Sequence, residues 1–332
     1  MALQNREAPL FLRRLKEDMV DFPKPGETKA SRLFRERHVK TVTFRLKDSP
    51  SEWHLYEEVT KYVEDQSVCA AAAGKRGQLI GLTLALLQRR LASSIRAIRR
   101  SLERRHKRLS SRLEHIDRLE EMMEELEPED IEEMTEEERW AYEELLEGVS
   151  LATTKEELAW ECRELETLIG LAKEAERARS EVKLGELRRL LGDEGFFSSG
   201  TKLLVFTEHK DTLDYLVEQL RRWGFTVTQI HGSMKLGDEA TPGTRIYAER
   251  EFRDPEGAQI MVATEAAGEG INLHYSCWVM MNYDIPWNPN RLEQRMGRIH
   301  RYGQTRDVLA FNLVAADTGS TSGEALDENR EI

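Results

Sequence analysis

Three arginines recur at every third position in the segment QRMGRIHRYGQ, residues 294–304. If this segment is a helix, Arg298 and Arg301 share roughly one face, and Arg295 lies off it. Guanidinium groups bind phosphate oxygens through paired hydrogen bonds and stabilise the charge that spreads over a phosphoryl group during transfer. A solvated basic helix is the simpler interpretation of such a charge run. The interspersed glycine, histidine and tyrosine nevertheless make a pattern that a surface helix does not need.

A glycine-containing loop is the second candidate for chemistry, because Gly268 and Gly270 flank Glu269 directly after a predicted buried strand. Glycine lets the backbone approach a ligand closely. Taken alone, a Gly-x-Gly more often marks an ordinary turn. This one ends only twenty-four residues before Gln294, and the stretch DIPWNPN between the two clusters is expected to connect them rigidly.

Both clusters belong to a region in which short apolar runs alternate with helical segments. The predicted strands are KLLVF, FTVTQI, QIMVA, WVMMNY and VLAFNLVA. Strands and helices in this rhythm predict βαβ units, and therefore an α/β fold with a parallel sheet and helices on both faces. Parallel sheets hold ligands at the carboxyl ends of their strands. We therefore expect chemistry in the loops after Thr207, Ile230 and Thr264.

The chain ahead of the sheet is predicted to be largely helical. HVKTVTFRL predicts a single strand, and an apolar stripe from Leu84 to Leu119 then predicts one long amphipathic helix that ends near Pro128. Two capping boxes open further helices: Thr135 with Glu138, and Thr154 with Glu157. An antiparallel helical protrusion is the simplest shape for this region.

Charge is sorted along the chain, whose net charge is -12. Residues 114–147 hold seventeen acidic side chains against two basic ones, whereas residues 89–112 hold ten basic side chains against one acidic one. The basic run is either a DNA-binding surface or a face solvated against the acidic stretch, and the sequence favours neither interpretation.

Cysteine and histidine usage predicts neither a metal site nor a disulfide. The three cysteines and the histidines match no ligand spacing, so no metal is expected. No apolar run approaches the roughly 18 residues that span a bilayer, and the start of the chain lacks the pattern of a signal peptide. The expected location is the cytoplasm.

The two candidate clusters together carry a family resemblance. ATEAAGEGINL and NYDIPWNPNRLEQRMGRIHRYGQ resemble motifs V and VI of superfamily 2 helicases, in the form found in the Snf family and especially its RapA-like branch. KLLVFTEHKDTLDYL resembles motif IV, IHGSM resembles the patch that follows it, and LLQRRLASSIRAIRRSLERR resembles the helical region inserted before the second lobe. The resemblance implies the RecA-like second lobe of an ATP-dependent DNA translocase.

The resemblance also implies roles for individual residues. Arg298 and Arg301 match the arginine fingers that reach the γ-phosphate of ATP. The other positions implied to serve the nucleotide are Gln294, Gly268, Glu269 and Gly270. The positions implied to contact DNA phosphates are Thr207, Gly232, Ser233 and Thr264.

Two features of such an enzyme are missing from the sequence. There is no G-x-x-x-x-G-K-[ST] phosphate loop, and no D-E-x-x motif follows an apolar strand. ATP with Mg²⁺ is therefore expected at a site that a separate lobe 1 completes, and the isolated chain is expected to be inactive. The expected partners are that lobe, in cis or in trans, double-stranded DNA, and a protein bound through the helical protrusion. A fragment, a split gene and a truncated frame fit equally well.

Four regions are expected along the chain: a connector from lobe 1 (1–50), a helical region with the protrusion (51–195), the RecA-like lobe (196–316) and a polar tail (317–332). The alternative function is a helicase-derived module without catalysis, in which the basic helix and acidic hairpin recruit nucleic acid or protein. An independent nucleotide-binding enzyme is disfavoured because no dinucleotide fingerprint is present.

Overall fold

The computed structural model describes residues 20–21, 31–71, 73–113, 134–193, 200–265 and 271–318. The chain divides into two compact units. The first unit comprises Met1–Lys40, Ser199–Thr207 and Leu216–Asn312, and the second comprises Thr41–Ser198, Glu208–Tyr215 and Leu313–Ile332. Within the described ranges, no helix is long and apolar enough to cross a membrane.

Six strands form one sheet in the order β3-β8-β7-β4-β6-β5. They are β3 (Arg37–Phe44), β4 (Leu203–Phe206), β5 (Val227–Ile230), β6 (Ile260–Ala263), β7 (Val279–Asn282) and β8 (Val308–Ala315). A separate antiparallel pair joins β1 (Val20–Asp21) to β2 (Ser31–Arg32). The paired registers of β4 to β8 are all parallel. Strand β3 also runs parallel to β8, because Val308 N donates to Glu36 O and Ala316 N donates to Phe44 O.

The central strands are buried on both faces. All four residues of β4, β6 and β7 are buried, which is the pattern of a parallel sheet covered on both sides. The predicted α/β fold with a parallel sheet is therefore confirmed, as is the strand predicted within HVKTVTFRL. Because the strand ends are in register, Phe206 pairs with both Ala263 and Asn282. The residues that follow these strands consequently lie side by side at one edge.

The described ranges contain nine α-helices, numbered here in chain order. They are α1 (Pro50–Ala70), α2 (Gly74–Ser93), α3 (Ile95–Leu113), α4 (Glu136–Leu146), α5 (Lys155–Ala178), α6 (Val182–Asp193), α7 (Lys210–Arg222), α8 (Arg245–Arg253) and α9 (Pro289–Met296). Helices α1 to α5 share one apolar core. Helices α3 and α5 run antiparallel, because Arg99 pairs with Glu176 near one end and Ser110 approaches Cys162 near the other. The two predicted capping boxes open α4 and α5 and are confirmed.

The single long helix predicted from Leu84 is wrong in one respect, because α2 and α3 are separated by Ser94. That residue has extended backbone angles, φ -161° and ψ 155°. Its hydroxyl oxygen accepts a hydrogen bond from Ala97 N at 3.1 Å and lies 2.8 Å from the Thr212 hydroxyl. A serine that caps the next helix in this way ends the preceding one. The part of the stripe beyond Leu113, with Pro128, lies outside the described residues.

Two carboxyl groups of the second unit are buried near one another. Glu52 and Glu181 are both largely excluded from solvent, and each accepts a backbone N–H, from Val182 and Ile95 respectively. Burial, with the nearby Glu52 carboxylate, raises the pKa of Glu181 to about 8. Burial likewise raises the pKa of Glu52 to about 7, and Lys183 only partly opposes this. Between about pH 5 and pH 7 both groups therefore hold protons that the unfolded chain, with glutamate pKa values of about 4.3, has already released.

We predict that folding stability falls as pH rises from about 5 to about 8, because the folded state binds more protons than the unfolded state over this window. Each such proton contributes up to about 1.4 kcal/mol per pH unit to the slope. The variant Glu181→Gln should flatten the dependence, whereas Glu57→Gln, at an exposed position of α1, should not. Urea unfolding across this pH range measures both slopes, and equal slopes for the two variants would contradict the assignment.

Candidate functional site

Two threonines predicted to contact DNA lie together at the carboxyl edge of the sheet. Thr207 follows β4 and donates its N–H to Ala263 O at 3.0 Å, while Thr264 follows β6 and donates its N–H to Ile230 O at 3.0 Å. Both side chains are fully buried. The aligned strand ends account for this juxtaposition, because each threonine extends a strand by one ladder hydrogen bond.

The hydroxyls of these threonines are not exposed in this arrangement. The Thr207 hydroxyl donates to Asp284 Oδ2 at 2.5 Å, and Asp284 N donates in turn to Phe206 O at 3.3 Å. The Thr264 hydroxyl is buried without a hydrogen-bond partner among the described residues. Direct contact between either hydroxyl and a phosphate would therefore require the strand ends to open.

The turn after β5 carries the other two predicted DNA contacts, Gly232 and Ser233. Gly232 is buried and Ser233 is exposed. The Arg245 guanidinium holds this turn, because it donates to Gly232 O at 2.5 Å and to Met234 O at 3.0 Å. Ser233 Oγ lies 3.0 Å from His231 Nδ1. Ser233 is thus the predicted contact residue that is most accessible.

Helix α9 introduces the arginine segment but ends before the two predicted arginine fingers. Asn288 caps its start by accepting from Asn290 N, Pro289 occupies the first turn, and the helix ends at Met296. The prediction that residues 294–304 form one helix is therefore wrong, and Arg298 and Arg301 lie in the turns that follow. Groups outside the helix bind the carbonyls that would continue it: Leu273 N donates to Arg298 O, and the Gln304 side chain, five residues on, donates through Nε2 to Ile299 O.

The polar residues of this segment differ sharply in exposure. Gln294 and Arg301 are exposed and Arg298 is half-buried. Arg295 is only 2 % exposed, and its Nη1 donates to Asn282 Oδ1 at 3.2 Å and to Asp284 O at 2.7 Å. Arg295, which the sequence predicts off the face of Arg298 and Arg301, is thus buried and hydrogen-bonded. A signal was present in the sequence, because the polar Asn282 ends an otherwise apolar strand and a buried amide needs a partner.

An ion pair joins α9 to the residue ahead of the glycine loop. Arg291 Nη1 lies 2.9 and 2.7 Å from the two carboxylate oxygens of Glu265, and both side chains are mostly buried. Sequence reasoning missed this pair. The three loop residues predicted to serve the nucleotide, Gly268, Glu269 and Gly270, lie outside the described residues. No group of His, Cys, Asp or Glu within the described ranges is arranged to hold a metal ion.

Comparison with known proteins identifies a protein family whose model matches part of the chain. The model for the helicase conserved C-terminal domain matches residues 182–303, which contain every predicted site residue. Residues 182–303 of this chain are therefore similar to the helicase conserved C-terminal domain.

Relatives of this helicase domain are much longer proteins. The uncharacterized ATP-dependent helicase YqhH of Bacillus subtilis is 44 % identical over 117 residues, 35 % of this chain and 19 % of that protein. The human lymphoid-specific helicase is 35 % identical over 125 residues, 36 % of this chain and 14 % of the relative. Helicase swr1 of Schizosaccharomyces pombe is 35 % identical over 136 residues, 41 % and 10 % of the two chains. The chain thus matches less than a fifth of each relative's length.

One solved structure is similar over most of the chain. The C-terminal part of the Fun30 ATPase domain superposes with a TM-score of 0.49 at 18 % sequence identity, and the match covers 86 % of each chain.

Most arginines of the basic run, residues 89–112, bind carboxylates within the second unit. Seven of its arginines contact carboxylates: Arg89 with Glu208, Arg90 with Glu143 and Glu147, Arg96 and Arg99 with Glu176, Arg104 with Glu147 and Asp211, Arg105 with Glu161, and Arg108 with Glu144. Arg112 donates to Gly148 O. These cations are therefore neither a solvated face nor a free DNA-binding surface, because they hold helices together.

Glu147 is the centre of this pairing. It is 1 % exposed, and it accepts hydrogen bonds from Arg90 at 2.9 Å, Ser101 at 2.9 Å and Arg104 at 2.9 Å. Breaking a buried pair by removing one charge leaves the other charge uncompensated. An exposed pair is screened by solvent and contributes little.

We predict that Glu147→Gln lowers the free energy of unfolding by about 2 kcal/mol or more, because Arg90 and Arg104 lose a buried counter-charge and keep only Glu143 and Asp211 as partners. The matched variant Glu144→Gln removes the exposed partner of Arg108 and should cost about 1 kcal/mol or less. Chemical denaturation of both variants measures the difference. Similar losses would mean that the buried network does not hold the helices.

Proposed function

We propose that the chain supplies the second lobe of an ATP-dependent motor that moves on double-stranded DNA, with Arg298 and Arg301 as its arginine fingers. The observation that carries this proposal is the placement of the two arginines. They follow α9, whose Arg295 side chain contacts groups at the carboxyl ends of β4 and β7. Arg301 is exposed and Arg298 is half-buried, so at least one guanidinium is accessible to a nucleotide.

The arginines would act on ATP bound between this lobe and a lobe 1 that contains the phosphate loop. A guanidinium forms paired hydrogen bonds to phosphate oxygens and stabilises the charge of the transferring phosphoryl group. Mg²⁺, held by lobe 1, would neutralise charge on the β- and γ-phosphate oxygens. The exposed Gln294 and the loop Gly268–Glu269–Gly270 would face the same nucleotide. Because this sequence has no phosphate loop, we propose that the chain alone does not hydrolyse ATP.

The DNA side of the motor is proposed at the carboxyl edge and the turn after β5. Ser233 is the exposed candidate there, and Gly232 beside it is held by Arg245. A small residue and a hydroxyl at a turn suit contact with a phosphate backbone, which positions DNA without reading its sequence. Thr207 and Thr264 would join only if their buried hydroxyls became accessible.

The alternative, a binding module without catalysis, has less support. It relied on the basic helix as a nucleic-acid surface, but most of those cations are bonded to carboxylates or a carbonyl of the second unit. A cation that is already paired releases fewer counterions from DNA on binding, so it adds little affinity.

We predict that Arg298→Ala and Arg301→Ala each lower the kcat of an assembled enzyme by about 10³-fold, with a much smaller change in the KM for ATP. The reason is that a finger stabilises charge which develops mainly in the transition state. Lysine should not restore turnover at either position, because an ammonium lacks the planar fork that grips two oxygens. Steady-state hydrolysis in a complex of this chain with a lobe 1 protein measures the effect.

The matched control is Arg306→Ala. Arg306 is exposed and lies over the Trp278 ring at 3.8 Å, five residues after Arg301. Its loss should leave kcat near the wild-type value. Arg295 cannot serve as this control, because it is buried and bonded. Full turnover in both finger variants would overturn the assignment.

A further inference from the structure

Arg295 is a buried cation in the segment that carries the proposed fingers. Its Nη1 bonds to Asn282 Oδ1 at the end of β7 and to the Asp284 carbonyl just beyond it. Its guanidinium also lies 5.1 Å from the centre of the Phe206 ring, at the end of β4. Burying a guanidinium is costly unless it is hydrogen-bonded. A residue that only filled this space would be apolar, so the contacts to two strand ends call for another explanation.

The backbone of Arg298 is attached to Arg295. Arg298 N donates to Arg295 O at 3.0 Å, and Leu273 N donates to Arg298 O at 3.1 Å on the other side. Farther along, Gln304 Nε2 donates to Ile299 O at 3.1 Å and to Cys277 O at 3.1 Å. Arg298 is thus held between fixed points, and Arg295 is the one whose side chain ties the segment to the ends of β4 and β7.

We propose that Arg295 is a positioning residue, which fixes the backbone of Arg298 relative to the carboxyl ends of β4 and β7. A catalytic group must be held close to its productive position, and a misplacement of about 1 Å costs roughly 10²-fold in rate. The importance of this placement for catalysis rests on the proposed function of Arg298. The placement itself can be measured without any ATP hydrolysis.

The test is amide hydrogen exchange, followed residue by residue by NMR in the full chain. In Arg295→Met, the amides of Arg298, Ile299 and His300 should exchange about tenfold faster or more than in the wild type, because the local anchor is lost. Amides of β4 and β6 should keep their wild-type rates. The control Arg306→Met removes an exposed arginine nearby and should leave the amide of Arg298 unchanged.

The conservative variant Arg295→Lys keeps a cation able to donate to the same acceptors, so the exchange rate of the Arg298 amide should fall between those of wild type and Arg295→Met. If Arg295→Met does not fold, Arg295→Lys carries the test, with faster exchange confined to the same three amides as the supporting result. Unchanged exchange at Arg298 would overturn the proposal. So would equal acceleration in the segment and in β4 and β6, which would mean that Arg295 only supports the fold. Failure of the finger variants to lower kcat would instead count against the proposed function alone.

Discussion

The guanidinium of Arg295, buried at the carboxyl edge of the parallel sheet, holds the candidate site together. It bonds to the Asp284 carbonyl, and the Asp284 carboxylate accepts a hydrogen bond from the Thr207 hydroxyl. One residue therefore connects the end of α9 with the end of β4. Because hydrogen bonds are electrostatically stronger in the low dielectric of the interior, this small network favours a single arrangement of the edge. Arg298 is bonded to Arg295 at one end of this network, and Thr207 lies at the other end.

The second unit is stabilised by a different balance of forces. Its helices share an apolar core, and carboxylates such as Glu147 and Glu161 bind arginines that are largely withdrawn from solvent. The attraction within such a pair roughly offsets the cost of removing both charges from water, so the pair adds little to folding stability. Removing one partner, however, strongly destabilises the fold. These pairs therefore specify which helices pack together. The arginines in these pairs are the ones that the sequence alone would equally allow to bind DNA.

Much of the fold could be predicted because its causes are local. Apolar runs of four residues form the central strands since both faces of the sheet are covered, and Thr135 and Thr154 cap helices through residues only three positions away. The end of α9 could not be predicted, because Leu273 and Gln304 bind the carbonyls that would have continued it. The break at Ser94 likewise involves a distant hydroxyl, that of Thr212. The spacing of Arg298 and Arg301 identified candidates for the site, but not the buried Arg295 that precedes them.

DNA-stimulated ATP hydrolysis, measured for the purified chain alone and after addition of a lobe 1 protein that contains the phosphate loop, tests the central claim most directly. The account predicts no turnover by the chain alone, since it lacks the residues that bind the β-phosphate and Mg²⁺, and turnover that appears only when the two proteins are combined on DNA. Turnover by the chain alone that follows it through successive purification steps would contradict the claim that it provides only half of the ATPase site.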